Sequence, residues 1–290
     1  MGTKTEEMIR LQPDWLARVP TDRRLPASRV LFTGCGTSFH AAQTGGEAVQ
    51  ALELALAPER AADVLVCISH EGETRLTLEA ARAWRGPVWL VTGAPQSPLA
   101  QVADEVVVAT PEIERSWCHT ASYTCAVAAI AALKGEDVSW LPGAVAAEID
   151  GDRLPVSAHD RFLVAGAGRD WPTAQEAALK LREGAWVAAE AYETEQLLHG
   201  LLAAVDESVR AFVLEGEGLA AERAHAAVAA LRELGCDVTL VPTRHPVVDI
   251  VHFQLLTVEL AAARGARPDL IRRDDERWAR AAAAHESPYS

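Results

Sequence analysis

Short apolar runs rich in Val, Leu and Ile alternate along the chain with longer alanine-rich segments of helical period. Residues 30–33, 64–69, 88–92 and 105–108 read as buried strands, each followed by Gly, Pro, Ser or Thr. Helices are predicted near 38–57, 76–84 and 120–133, and a helical segment within 1–24 precedes them. The alternation restarts with strands at 161–165, 209–214 and 237–241 and helices at 173–189, 220–234 and 248–263. Fully apolar strands separated by helices predict an α/β fold, with parallel sheets covered by helices on both faces.

An internal echo divides the pattern in two. Val30-Leu-Phe-Thr-Gly-Cys-Gly-Thr-Ser38 is similar to Phe162-Leu-Val-Ala-Gly-Ala-Gly-Arg-Asp170, at an offset of 166 − 34 = 132 residues. Glu71-Gly-Glu73 is echoed by Glu215-Gly-Glu217 at an offset of 144, so the second copy carries insertions. Two copies of one α/β unit, at 25–140 and 155–265, are expected to be joined around 141–159, with a tail at 266–290. The length of 290 residues agrees, at about 150 residues per domain, with a core for each unit.

Composition narrows the partners. The formal charge is 27 − 41 = −14, which argues against nucleic acid or an anionic membrane as partner. No apolar run reaches the ~18 residues of a membrane span, and the charged N-terminal segment lacks a signal-peptide core. Cys35, Cys67, Cys118, Cys125 and Cys236 are odd in number and contain no CxxC pair. A disulfide framework or zinc site is not expected, and a reducing cytoplasm fits. Lys4, Lys134 and Lys180 are the chain's three lysines.

Three segments carry candidate chemistry. Gly34-Cys-Gly36-Thr37-Ser38 lies between a strand and a helix, where backbone N–H groups and hydroxyls suit phosphate. Phe39 stands where a dinucleotide fingerprint wants glycine, which disfavours a nicotinamide oxidoreductase. A structural turn with Ser38 as cap is the plainer alternative. Ser69-His70-Glu71-Gly72-Glu73-Thr74 follows the next strand, and adjacent strand ends in an open parallel sheet converge on one crevice. Glu176, Lys180 and Glu183 share one helix face, as a solvated set of ion pairs or as a site. His199-Gly200 follows Ala189-Glu-Ala-Tyr192.

Together these segments resemble the sugar isomerase (SIS) family, in the tandem arrangement of the isomerase half of glucosamine-6-phosphate synthases. Glu7-Met-Ile-Arg-Leu-Gln12-Pro13 is similar to the family's E-I-x-x-Q-P, and Cys35-Gly-Thr-Ser38 to its C-G-T-S loop. Ser69-His-Glu-Gly-Glu-Thr74 resembles S-Q-S-G-E-T, and Gln175–Glu183 resembles E-G-A-L-K-L-K-E. Ala189-Glu-Ala-Tyr192 through His199-Gly200 resembles A-E-A-Y through H-G-P. The resemblance implies two flavodoxin-like, doubly wound parallel-sheet SIS domains, usually in a homodimer. It implies a sugar phosphate ligand held by Gly36, Thr37, Ser38, Ser69, His70, Glu71, Thr74 and Lys180, and no cofactor or metal. Glu183 matches the enolisation base. His199 matches the ring-opening histidine, which serves the neighbouring subunit's site.

Departures from the family shape the expectation. A glutaminase unit with its N-terminal cysteine nucleophile is not expected, and no lysine follows Lys180 to form the synthase's Schiff base. Ala121 and His119 replace a lysine and a serine of the segment E-I-G-V-A-S-T-K-A-F-T, closer to stand-alone isomerases, deaminases and deglycases. Glu71 replaces a phosphate-loop serine. A carboxylate about 4 Å from phosphate faces a repulsion of roughly 4 kcal/mol per charge pair at an effective dielectric of 20. An outward-turned side chain, a cation such as Arg115, or a ligand that carries an amine or lacks the phosphate would relieve it. The expected activity is phosphosugar isomerisation on an amino or keto sugar phosphate, with or without loss of ammonia or an amine. The alternative is a non-catalytic sugar-phosphate sensor.

Overall fold

The computed structural model describes residues 2–26 and 28–286; positions 287–290 of the expected tail lie outside the described residues. Strands β1 (Val30–Gly34), β2 (Ala48–Gln50), β3 (Val64–Ile68), β4 (Val88–Thr92) and β5 (Glu105–Val108) form a sheet of order β2-β1-β3-β4-β5. A second sheet has β6 (Arg161–Gly166), β7 (Ala188–Glu193), β8 (Val209–Leu214) and β9 (Asp237–Val241) in the order β7-β6-β8-β9. Every pairing in both sheets is parallel. The order of the first four strands of the first sheet recurs in the second. In both, the winding reverses beside the first strand, the place where open α/β sheets hold ligands.

The helices are α1 (Lys4–Leu16), α2 (Thr37–Gln43), α3 (Ala51–Leu56), α4 (Arg75–Ala83), α5 (Ala121–Leu133), α6 (Leu141–Asp150), α7 (Trp171–Lys180), α8 (Thr194–Leu198), α9 (Leu219–Glu233), α10 (Pro246–Arg264) and α11 (Glu276–Glu286). Strand periodicity decides how they pack. Phe32 and Val164 face inward, while their neighbours Leu31 and Leu163 face the outer helices. The inward faces of both sheets belong to one core, which also takes in Ile130 of α5 and Phe253 of α10, with Phe212 edge-on to Phe253 at 5.5 Å. Neither sheet therefore has a private inner core. Helix α5 is buried at every position, which explains why its composition is apolar all round.

Several elements differ from the sequence expectation. The predicted helix 38–57 breaks at Gly45-Gly46 into α2, the edge strand β2 and α3. A Cβ on Gly45 would lie 2.5 Å from the Phe32 ring, so glycine is required there. The predicted helix 173–189 ends in a wide turn, Leu181–Ala185, and Trp186 at φ 60° turns the chain into β7. The expected joining segment contains α6, whose Leu141, Val145 and Ile149 bury one stripe. Strand β5 is a half-exposed edge rather than a buried strand. Helix α10 is long and apolar enough to cross a membrane, with a mean hydropathy of 1.4, yet 72% of that stretch is buried. It packs against α5, α6 and α7 as a core helix.

Asp249, in the first turn of α10, is buried, and its Oδ2 has no hydrogen-bond partner among the described residues. Burial is the main influence that pushes its carboxyl up to about 7, and Asp170 adds to it. Arg244 N donates to Oδ1 at 2.9 Å and works the other way. A carboxyl raised above its unfolded value stabilises the fold fully below about pH 4, and that contribution fades as pH rises through about 7. Asp249→Asn keeps the Oδ1 acceptor and removes the titration. Its melting temperature relative to wild type should climb between about pH 4 and 7, by on the order of a few kcal/mol in stability. Parallel melting curves across that range would contradict this.

Candidate functional site

The loops after β1 and β3 leave from neighbouring strand ends and open a cavity of about 260 Å³. Thr37 and Ser38 come from the first loop, and Ser69, His70, Glu71 and Thr74 from the second. Trp117 and His119 approach from the segment before α5, and Glu183 from the turn after α7. The cavity is thus built from both halves of the chain. A second, far smaller chamber of about 20 Å³ lies against Ser38, His70, His119 and Tyr123, too small for a sugar.

Within the first loop, Gly36 caps α2 at φ 54°, a conformation that favours glycine. The N–H groups of Ser38, Phe39 and His40 are bonded inside the turn, to Cys35 O and Gly36 O. The expectation that this loop offers freely available N–H donors is corrected for those three. Ser69 Oγ accepts from Gly72 N at 3.2 Å and lies 3.4 Å from Thr74 Oγ1.

A buried ionic chain backs the cavity. Glu176 accepts from Thr37 Oγ1 at 3.1 Å and pairs with His40 Nδ1 at 2.7 Å. Lys180 Nζ reaches Glu176 at 3.4 Å, Thr37 Oγ1 at 3.2 Å and Glu183 Oε2 at 2.5 Å. Side chains of Glu176 and Lys180 are 0% exposed, and that of Glu183 is 23% exposed. The solvated-face alternative for this triplet is therefore set aside. Burial alone would lower the Lys180 ammonium, but Glu183 and Glu176 outweigh it and hold it above the usual lysine range. Burial alone would raise Glu176, and Lys180 with His40 holds it below the usual glutamate range. Of the three, Glu183 lines the cavity, while Lys180 sits behind the wall and acts through Glu183 and Thr37.

His70 lines the cavity as a neutral ring. Burial, with His119 adding to it, pushes its pKa down to about 4. Its Nε2 accepts the Glu114 N–H at 2.9 Å, which puts the ring proton on Nδ1. Glu114 in turn caps α5, accepting from the N–H groups of Thr120, Ala121 and Ser122. Arg115, one cation offered to neutralise Glu71, instead pairs with Glu7 at 2.9 Å. His199 does not line this cavity: its side chain is 70% exposed and pairs with Glu195 at 2.8 Å.

Residues the motifs did not single out complete the wall. After α10, a turn at Pro268–Leu270 returns the chain to α1, where the Asp269 carboxylate accepts from Lys4 N, Thr5 N and Thr5 Oγ1 at 2.8–3.0 Å. Asp269 O accepts from Trp117 N at 2.9 Å. Ile271 and Arg273 then enter the cavity wall. The absence of a tail lysine was visible in the sequence; the place of Arg273 was not, because it depends on this return.

The layers and the cavity define the class: a doubly wound α/β protein with a cavity at the strand ends of its first sheet. No family model matches the chain. It is 28% identical over 299 residues to the isomerizing glutamine–fructose-6-phosphate aminotransferase of Pyrococcus horikoshii, covering 83% of this chain. The chain spans about half the length of that relative, 50%. Among solved structures, glucosamine-6-phosphate deaminase from Thermotoga maritima superposes with a TM-score of 0.77 at 21% identity, covering 92% of this chain and 97% of that one. Tagatose-6-phosphate ketose/aldose isomerase from Escherichia coli gives 0.78 at 18%, covering 93% and 95%. The resemblance to SIS phosphosugar isomerases thus holds in sequence and in fold.

Proposed function

We propose that the chain is a phosphosugar isomerase-type enzyme acting on an amino or keto sugar phosphate. The observation that carries this reading is the meeting, in one cavity, of the Glu183 carboxylate with the hydroxyls of Ser38, Ser69 and Thr74. The hydroxyls receive the phosphate. Glu183 takes the proton from C2 of the open-chain aldose while the carbonyl oxygen at C1 is protonated, which gives the enediol; Glu183 then returns its proton to C1 as the C2 hydroxyl releases its own, so that O1 has gained the proton that O2 has lost. The ketose runs the same path backwards. Loss of ammonia or an amine, in a deaminase or deglycase, uses the same proton transfer and therefore the same base. The proteins it resembles include isomerases and a deaminase, which supports the coarse class and leaves the leaving group open.

In this reading the two sheets are two SIS units, and the chain works as a homodimer in which His199 opens the sugar ring in the neighbouring subunit's cavity. Five free cysteines suit a reducing cytoplasm. Incubation in D₂O with glucosamine 6-phosphate and fructose 6-phosphate, followed by NMR, tests the proposal. The expected result is enzyme-dependent exchange of the C2 proton of the aldose or a C1 proton of the ketose. Binding of these sugars without exchange would make the chain a sensor instead.

A further inference from the structure

The internal echo of the chain extends to its cavities. In chain order, α2 and α7 follow the first strand of each sheet, and α5 and α10 follow the last. The first cavity takes Thr37 from the start of α2, His119 from the segment before α5, Glu183 from the turn after α7 and Arg273 from the return after α10. A further cavity, of about 290 Å³, exchanges the halves. It takes Arg169 from the turn before α7, His245 from the residue before α10, Gln43 from the end of α2 and Lys134 from the end of α5. The turns that open α2 and α7 match as well, with Gly36 at φ 54° and Gly168 at φ 57°. Arg169 and His245 follow the C-terminal ends of β6 and β9, the edge of an open parallel sheet at which ligands bind.

The chemistry of the two cavities differs. Where Glu183 enters the first, the second receives Gln43 and Thr44, neither of which has a carboxylate to move a proton. Apart from histidines, the charged lining of the second is Lys134, Arg169 and Glu136, against Arg273, Glu71 and Glu183 in the first. The lining thus turns from net negative to net positive, in a chain of formal charge −14. Both cations are loosely paired. Lys134 Nζ stands 3.6 Å from Glu136, and Arg169 stands 3.7 Å from Glu217 and 3.8 Å from Asp170, all beyond hydrogen-bond length. Burial pushes the His245 ring below its usual range, and its Nδ1 accepts from Val247 N at 3.2 Å, which leaves Nε2 as a donor. Gln43 Oε1 is buried and has no hydrogen-bond partner among the described residues. An acceptor in that position calls for a donor such as a hydroxyl.

We propose that this second cavity is a non-catalytic binding site for a small phosphorylated, hydroxyl-bearing ligand, in which Arg169 and Lys134 meet the phosphoryl group and Gln43 meets a hydroxyl. Charge-assisted hydrogen bonds from arginine and lysine are the strong contacts available to phosphate. The volume is close to the lower end, about 300 Å³, of small-molecule pockets and exceeds that of the first cavity. Binding here does not depend on what the first cavity holds.

Lysine acetylation read by mass spectrometry tests it, because Lys134 and Lys4 are exposed while Lys180 is buried. The full chain is treated with an N-hydroxysuccinimide ester of acetate in the presence of fructose 6-phosphate, fructose or inorganic phosphate, at matched ionic strength. Fructose 6-phosphate should halve the acetylation rate of Lys134 at half saturation and cut it to roughly a fifth at four times that concentration, with Lys4 unchanged. Fructose should give no protection, and inorganic phosphate, with no hydroxyl on carbon for Gln43, should need a higher concentration. Arg169→Ala should abolish the protection and Arg169→Lys should restore part of it, with melting temperatures to check the fold of each. Ser69→Ala, which alters the first cavity, should leave the protection in place. Unchanged acetylation of Lys134 with fructose 6-phosphate overturns the proposal, as does equal slowing at Lys4 or equal protection by fructose or by inorganic phosphate; these wild-type arms need no variant to fold. Protection that survives Arg169→Ala overturns it too. So does protection lost in Ser69→Ala, because the effect then travels from the first cavity.

Discussion

Glu183→Gln is expected to cut turnover by about 10²–10⁴-fold while leaving the Kd for a sugar phosphate nearly unchanged. The amide keeps the shape of the side chain and an oxygen to accept from Lys180, which donates to Glu183 Oε2 at 2.5 Å. It cannot accept the substrate proton. In the proposed reading the phosphate is held by groups on other elements, so binding and proton transfer separate in this variant. Single-turnover rates and calorimetry on the same preparation measure the two sides. An undiminished rate would move the base to Glu71, the other carboxylate in the wall.

The second large effect is on stability. Lys180→Met leaves Glu176 fully buried with only His40 and Thr37 to meet its charge. Breaking a buried pair from one side costs about 3–5 kcal/mol, because the remaining charge is uncompensated. The midpoint of urea unfolding should fall accordingly. The double variant Glu176→Gln with Lys180→Met should be more stable than Lys180→Met alone, since it removes both charges. A double variant no better than the single one would show that packing of the lysine stem, and not its charge, is what matters. Both variants lose the anchor for Thr37 and Glu183, so their activity should fall with or without the stability.

What the sequence revealed follows the physics of each element. Central strands such as β3 and β8 are buried at every position; β3 is an unbroken apolar run, and β8 is one apart from the buried Arg210, so both were legible. Strands β2 and β7 lie at sheet edges; β7 carries Glu190 and Glu193, and neither strand has a run to read. The Gly45-Gly46 pair was a local signal for the end of α2 that helical period alone did not register. The turn that carries Glu183 is set by close approach of another helix. A Cβ on Gly184 would come within 2.3 Å of Thr257 on α10, a contact 73 residues away in sequence. Motif spacing brought Thr37, Ser38, Ser69, Thr74 and Glu183 to one place, as the strand-end argument requires. It could not show that Lys180 is buried, that Thr37 is tied to Glu176, or that His70 is neutral. Those depend on neighbours from the other half.

The joint between α1 and the tail bears on how the molecule comes into being. Asp269 is the acceptor for the first turn of α1, and Ile271 and Arg273 furnish part of the cavity wall. A chain emerging from the ribosome has made both cavity loops and Glu183 long before it makes residue 273. Nascent chains fold from the N-terminal side as they appear. Here α1 must wait with its amide groups turned to water, and the cavity stays open on one side, until residues 268–273 dock. The complete cavity would therefore arrive in one late step, when residues 268–273 close on a scaffold already formed.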